Sequence, residues 1–173
     1  MTFHSIWLRP ARDDLRFLES VVTDLASGFN SPIFEPHATL VPDMRRSADE
    51  LLPLVLSLAV GRKPLDVLVD DVAGTEAYFR SFYAALQKTP TLMTLKQDSL
   101  DISGGEKDIS TFLPHVSLAY GVADHGSRDT EMARMARLLV GRSIRFDRMV
   151  IVSSSSETPI DQWIVKHEVY LAG

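Results

Sequence analysis

A seven-residue block occurs twice in this chain. Phe34-Glu35-Pro36-His37-Ala38-Thr39-Leu40 is matched 78 residues later by Phe112-Leu113-Pro114-His115-Val116-Ser117-Leu118. Four of the seven positions are identical, and a fifth exchanges one hydroxyl residue for another. An earlier pair of segments repeats more loosely. Phe3-His4-Ser5-Ile6-Trp7-Leu8 lies 34 residues before the first histidine, and Phe79-Arg80-Ser81-Phe82-Tyr83-Ala84 lies 36 before the second. A proline then opens the next segment, Pro10 in one half and Pro90 in the other. A chain with such self-similarity folds as two related units, which restricts its architecture more than any single element does. The halves are 1–73 and 74–173 of a single bilobal domain, with terminal strands free to exchange between the lobes.

The local patterns supply the elements. Residues 3–8 alternate and are rich in aromatic and branched side chains, which predicts a strand. Leu15, Leu18, Val22 and Leu25 recur at helical spacing, with Pro10 just ahead. Residues 37–41 read as a strand. Ser47-x-x-Glu50 is a capping box leading into a helix through Leu51, Leu54, Val55 and Leu58. Leu65, Val67 and Val69 alternate as a third strand. In the second half, the segment from Phe79 to Leu86 is read as a strand by analogy with Phe3. Helices follow at 91–102 and 128–140, and strands at 114–120, 143–152 and 162–171. Ser103-Gly104-Gly105 is a turn, and the serine run 153–156 is a loop. The predicted fold class is α+β: a pseudo-two-fold duplication in which two mainly antiparallel sheets face each other across a central cleft, with helices outside.

Residues i and i+2 of a strand share a face, so His37 projects with Thr39 and His115 with Ser117. Across a two-fold cleft, two imidazoles and two hydroxyls converge. Imidazole titrates near neutrality and suits proton transfer in either direction. Hydroxyls can donate to an oxygen whose negative charge grows in the transition state. This set matches phosphodiester hydrolysis without a metal or cofactor. A duplicated structural strand end would keep its apolar and proline pattern without needing histidine. The 173-residue chain has no cysteine, and no His-x-x-x-His or His-Glu-x-x-His run points to zinc. Gly-x-Ser-x-Gly and Walker-type phosphate loops are also missing. With 18 basic against 23 acidic residues, the net charge of −5 disfavours a long polyanion but permits a small phosphorylated ligand.

Other residues are candidates for ligand contact. Phe79, Phe82 and Tyr83 could offer a face to a nucleobase, as could Trp7, the repeat counterpart of Tyr83. Arg80 and His4 are placed to reach a phosphate, although solvent-facing positions are the plainer expectation. Arg45 and Arg46 could add positive charge at the cleft mouth. His167 is expected as a hydrogen-bonded core residue on the last strand, and His125 in a loop.

The paired His-x-Thr-Leu and His-x-Ser-Leu motifs resemble the two-histidine phosphoesterase superfamily. Phe-x-Pro-His-x-Thr-Leu, Pro-His-x-Ser-Leu-x-Tyr-Gly and the opening Ser-Ile-Trp-Leu-x-Pro are most similar to its plant and yeast cyclic phosphodiesterases. That resemblance covers nearly the whole chain. It implies a bilobal fold, no metal requirement, and His37, Thr39, His115 and Ser117 as the catalytic set. It also implies action on nucleoside 2′,3′-cyclic phosphates or ADP-ribose 1″,2″-cyclic phosphate. Tyr120 takes the place of a tyrosine lining the family's site, yet it is out of phase with His115 and needs a bend in the strand. The expected partner is a small cyclic-phosphate nucleotide or ADP-ribose derivative. An RNA 2′,3′-cyclic end, as in the RNA-ligase-like branch, and a non-catalytic nucleotide-binding module are the alternatives. With no membrane-spanning run and no cysteine, a monomer in a reducing, cytoplasmic interior is expected.

Overall fold

The computed structural model describes residues 2–104, 108–123 and 125–173. Among them are seven strands and four α-helices, in the order β1 (His4–Pro10), α1 (Arg12–Phe29), β2 (Ala38–Met44), α2 (Ala48–Ala59), β3 (Leu65–Ala73), β4 (Phe82–Leu86), α3 (Pro90–Ser103), β5 (His115–Ala119), α4 (His125–Leu139), β6 (Ser143–Ser153) and β7 (Ile164–Tyr170). The α+β class follows as the sequence predicts. The helix ends follow from local chemistry. Ser47 accepts from the Glu50 N–H while the Glu50 carboxylate caps Ser47, closing the capping box of α2. Thr89 caps α3 ahead of Pro90, and Gly104 ends that helix with φ +76°. Gly105, the last residue of the predicted turn, lies outside the described residues.

Every pairing between named strands is antiparallel. The strands follow the order β2-β1-β6-β3-β4-β5, with β7 also on β6. The long strand β6 joins the two parts. One edge pairs with β1, while the other pairs first with β3 through Ser143–Phe146 and then with β7 through Arg148–Ser153. The motif strands β2 and β5 end this path and approach each other without pairing. Helix α1 packs on β5, and α3 packs on β2, so each half covers the motif strand of the other. Apolar side chains from both parts merge into one buried cluster.

Three local predictions need correction. The stretch from Phe79 does not start as a strand: Tyr78–Arg80 form one 3₁₀ turn, and pairing begins at Phe82. His125 is not in a loop but opens α4, where its Nδ1 lies 2.9 Å from an Arg128 guanidinium nitrogen. His167 is not a core residue. It sits half-exposed, 3.3 Å from Asp49 on the first turn of α2, the helix that packs against β7.

Candidate active site

The sequence Phe-x-Pro-His fixes each imidazole locally. The residue before a proline is confined to extended conformations, and proline itself has a fixed φ and no N–H. The carbonyl two residues before each histidine is thereby held against its ring. His37 Nδ1 lies 2.7 Å from the Glu35 oxygen, and His115 Nδ1 lies 2.8 Å from the Leu113 oxygen. A carbonyl only accepts, so each Nδ1 carries the proton and donates it. In the neutral ring Nε2 then keeps its lone pair. Glu35 is further anchored by Arg9, 2.8 Å from its carboxylate.

The strand register is the same around both motifs. Trp7 of β1 stands opposite Thr39, and Tyr83 of β4 stands opposite Ser117. In each pair the register slips by one residue immediately afterwards, because Ile6 pairs with Val41 and Phe82 pairs with Ala119. Leu40 and Leu118 are the extra, bulged residues, and both are buried. A bulge re-aims the side chains beyond it. It shifts the alternation by one and brings Tyr120 round to the face of His115 and Ser117, which supplies the bend that simple alternation lacked. Gly121 holds the turn: its φ is +64°, its N–H donates to the Tyr78 carbonyl at 2.9 Å, and a Cβ there would stand 2.5 Å from the Tyr78 ring.

His37, Thr39, His115 and Ser117 all line one cavity of about 570 Å³. That volume accommodates a small ligand of nucleotide size. Trp7, Phe79 and Tyr120 also line it. Tyr83 does not. It is buried behind the wall with its ring edge-on to His115, centroids 5.3 Å apart. Trp7 plays a matching part in the other half, stacked on His37 with centroids 3.5 Å apart and planes 9° from parallel. Tyr120 stacks on Phe34 at 3.8 Å and meets Phe79 edge-on at 5.1 Å. The Ser117 hydroxyl donates to the Phe79 carbonyl at 2.8 Å, tying the 3₁₀ turn to β5. Thr39 makes no protein hydrogen bond through its hydroxyl among the described residues.

Arg80 is exposed and lines the cavity, whereas Arg45 and Arg46 do not. Arg45 lies over the Phe3 ring, and Arg46 reaches the Ile102 carbonyl at 3.4 Å. His4 is neither solvent-facing nor in the cavity wall; it is buried with Nδ1 2.8 Å from the Arg46 oxygen. Sequence reasoning missed Lys96, Trp163, Ser5, Ser154 and Ser155, all of which line the cavity. For Lys96 a signal existed: it falls on the apolar stripe of its helix, four residues from both Leu92 and Leu100. Among the described residues no three metal-ligating side chains gather.

Burial decides the charge states. His37 is only 8% exposed, and desolvation pulls its pKa down to about 4, with a smaller push from His115 in the same direction. His115 is lowered too, first by burial and then by Arg80. The Tyr120 phenol is raised by burial and stays protonated. The His37 shift has a consequence for stability. Above pH 6.5 the ring is neutral in both folded and unfolded chains. Between pH 6.5 and 4 the unfolded chain takes up a proton that the folded one refuses, so stability falls as pH drops. His37 should account for about 3 kcal/mol of that loss. Denaturant titrations of wild type and His37→Asn across this window should differ by about that amount. Parallel curves would show that His37 does not titrate in this way.

Comparison with known proteins agrees with this geometry. A family model described as "Cyclic phosphodiesterase-like protein" matches residues 1–169. The cyclic phosphodiesterase of Arabidopsis thaliana is 24% identical over 157 residues, spanning 89% of this chain and 86% of that protein. Among solved structures, TT0787 of Thermus thermophilus superposes with a TM-score of 0.63 at 18% identity, covering 98% of this chain and 97% of that one. Escherichia coli LigT complexed with 3′-AMP gives 0.62 at 12% identity, covering 99% of each chain. These structural likenesses show a shared fold. With a family match along almost its full length and a pair of Nδ1-anchored histidines on one cavity, this chain belongs to the cyclic phosphodiesterase-like family of two-histidine phosphoesterases and is a phosphodiesterase.

Proposed function

We propose that this phosphodiesterase opens nucleoside 2′,3′-cyclic phosphates or ADP-ribose 1″,2″-cyclic phosphate by two-histidine acid–base catalysis. The observation that carries this reading is the matched pair of imidazoles, each donating its Nδ1–H to a main-chain carbonyl, on the wall of one cavity. His37, buried and held neutral, takes a proton from water through Nε2 as the water oxygen attacks phosphorus. The bond from phosphorus to one ribose oxygen breaks, and protonated His115 donates to that oxygen. The product is a ribose phosphomonoester, and the next substrate meets the same pair once the proton has returned from His37 to His115 through solvent. Thr39 donates to a non-bridging oxygen, whose charge grows in the transition state, and Ser117 does the same by turning its hydroxyl from the Phe79 carbonyl to the phosphate. A charged His115 lowers His37, which favours one proton shared between the two rings over two.

The cavity's size and the chain's net charge of −5 favour a small nucleotide over a long RNA. The 3′-AMP held by LigT supports a nucleotide ligand here. The test is incubation with each nucleoside 2′,3′-cyclic phosphate and with ADP-ribose cyclic phosphate, in the presence of chelator. Phosphorus NMR then identifies what forms. A single phosphomonoester with chelator-resistant turnover is expected. No turnover of any of them, or turnover abolished by chelator and restored by zinc, would contradict the scheme.

A further inference from the structure

Lys96 lies in the cavity wall and is buried, being only 8% exposed. Its Nζ donates to the main-chain oxygen of Leu40, the bulged residue after Thr39, and stands 4.5 Å from the centre of the Phe112 ring. No carboxylate among the described residues pairs with it; Asp43 and Asp108 line the same cavity but are exposed to water. An ammonium has three donors, and one carbonyl leaves two of them without an acceptor among the described residues. Burial lowers the pKa to about 8, so the group remains mainly a cation at neutral pH. A cation buried without a counter-charge is costly.

The duplication shows that the fold does not demand a charge at this place. The buried stripe of α1 begins at Leu18 and that of α3 at Leu92, and in both helices the buried positions recur three, four, seven and eight residues on. Val22 and Lys96 are therefore equivalent. Their surroundings match as well: Val22 packs with Phe34, and Lys96 lies over Phe112, the residue that Phe34 repeats. Valine fills the slot in one half. In the other half the same slot holds a cation on the cavity, which breaks the two-fold equivalence of the site. The contacts of Lys96 are Leu40 and Phe112, not either imidazole or either hydroxyl. Lys96 therefore makes no direct contact with the groups assigned to the reacting ester, although it lines the same cavity.

We propose that Lys96 determines specificity by binding a second phosphoryl group of the substrate, apart from the cyclic ester that the histidines open. This rests on the nucleotide reading above. Of the two substrates proposed above, Lys96 thereby favours the one with phosphate on the 5′ side of its ribose, ADP-ribose 1″,2″-cyclic phosphate, over a nucleoside 2′,3′-cyclic phosphate that has none. Charge-assisted hydrogen bonds from a buried cation are strong enough to change affinity by about tenfold or more.

Calorimetric binding of adenosine 2′-monophosphate and adenosine 2′,5′-bisphosphate to the full chain tests this without requiring turnover. Wild type should bind the bisphosphate about tenfold or more tightly than the monophosphate. Lys96→Gln keeps a donor for Leu40, and Lys96→Met keeps the packing; both should lose that preference while binding the monophosphate within about twofold of wild type. Equal wild-type affinities, a preference that survives in both variants, or an equal loss for both ligands would overturn the Lys96 assignment alone. If wild type binds neither compound, the nucleotide reading falls and takes this inference with it.

Discussion

His37→Ala and His115→Ala are each expected to lower kcat for a 2′,3′-cyclic phosphate by about 10²–10⁴-fold, the range of one positioned proton-transfer group. The two losses should not add. Once one partner of a proton-sharing pair is gone, removing the other costs little more, so the double variant should stay close to the worse single variant. Substrate affinity should change much less, since the loss falls on the transition state. His37→Asn and His115→Asn serve as controls, because an amide can still donate to the Glu35 or Leu113 carbonyl but cannot transfer the proton. Steady-state kinetics on the five variants would settle the matter. Near-wild-type kcat in either asparagine variant would remove that histidine from the chemistry. Thr39→Ala and Ser117→Ala should cost less than either histidine, because each removes one hydrogen-bond donor and leaves proton transfer intact.

Trp7→Ala should be the most damaging change outside the four motif residues. Trp7 is 4% exposed, stacks on His37, meets Trp163 edge-on at 5.7 Å, and packs with Val150 and Val152. Truncating a buried tryptophan typically costs about 3–5 kcal/mol. A second effect follows from electrostatics. The His37 pKa is low because the ring is desolvated, and Trp7 covers one face of it. With that face hydrated, the pKa should climb from about 4 toward the ordinary 6.5. Chemical denaturation gives the first quantity, and NMR titration of the His37 ring gives the second. Trp7→Phe should retain most of both. A loss below about 1 kcal/mol together with an unchanged titration would show that the stack does neither job.

The repeat carries the sequence reading furthest, because the same local physics acts at both copies. Phe-x-Pro-His-x-hydroxyl-Leu specifies a carbonyl-anchored imidazole, an in-phase hydroxyl and a bulged leucine, and both copies adopt the same register. What lies beyond the sequence depends on long-range pairing. Tyr120 looks out of phase because alternation cannot show a bulge, whereas the bulge at Leu118 restores it. Phe79 reads as a strand residue because its counterpart Phe3 opens a predicted strand, but a 3₁₀ turn places it on the cavity instead. Tyr83 is a candidate by symmetry with Trp7, and the symmetry holds as a contact with the histidine of its own half, not as exposure to ligand. His4 takes a main-chain partner and is buried, an outcome set by the turn after β2 that brings the Arg46 carbonyl back to it. Lys96 and Trp163 reach the cavity only because α3 crosses onto β2 and the segment before β7 folds back over Trp7.

The pH dependence of kcat/KM tests the central claim most directly, since it reports the ionisations of the unliganded enzyme. With His37 neutral above about pH 4 and His115 protonated below a value depressed from 6.5, the profile should be a bell. Its rising limb belongs to His37 and its falling limb to His115, so the maximum lies on the acid side of pH 6.5. A profile with a single limb, or a maximum well above pH 7, would contradict the sharing of acid and base between these two rings.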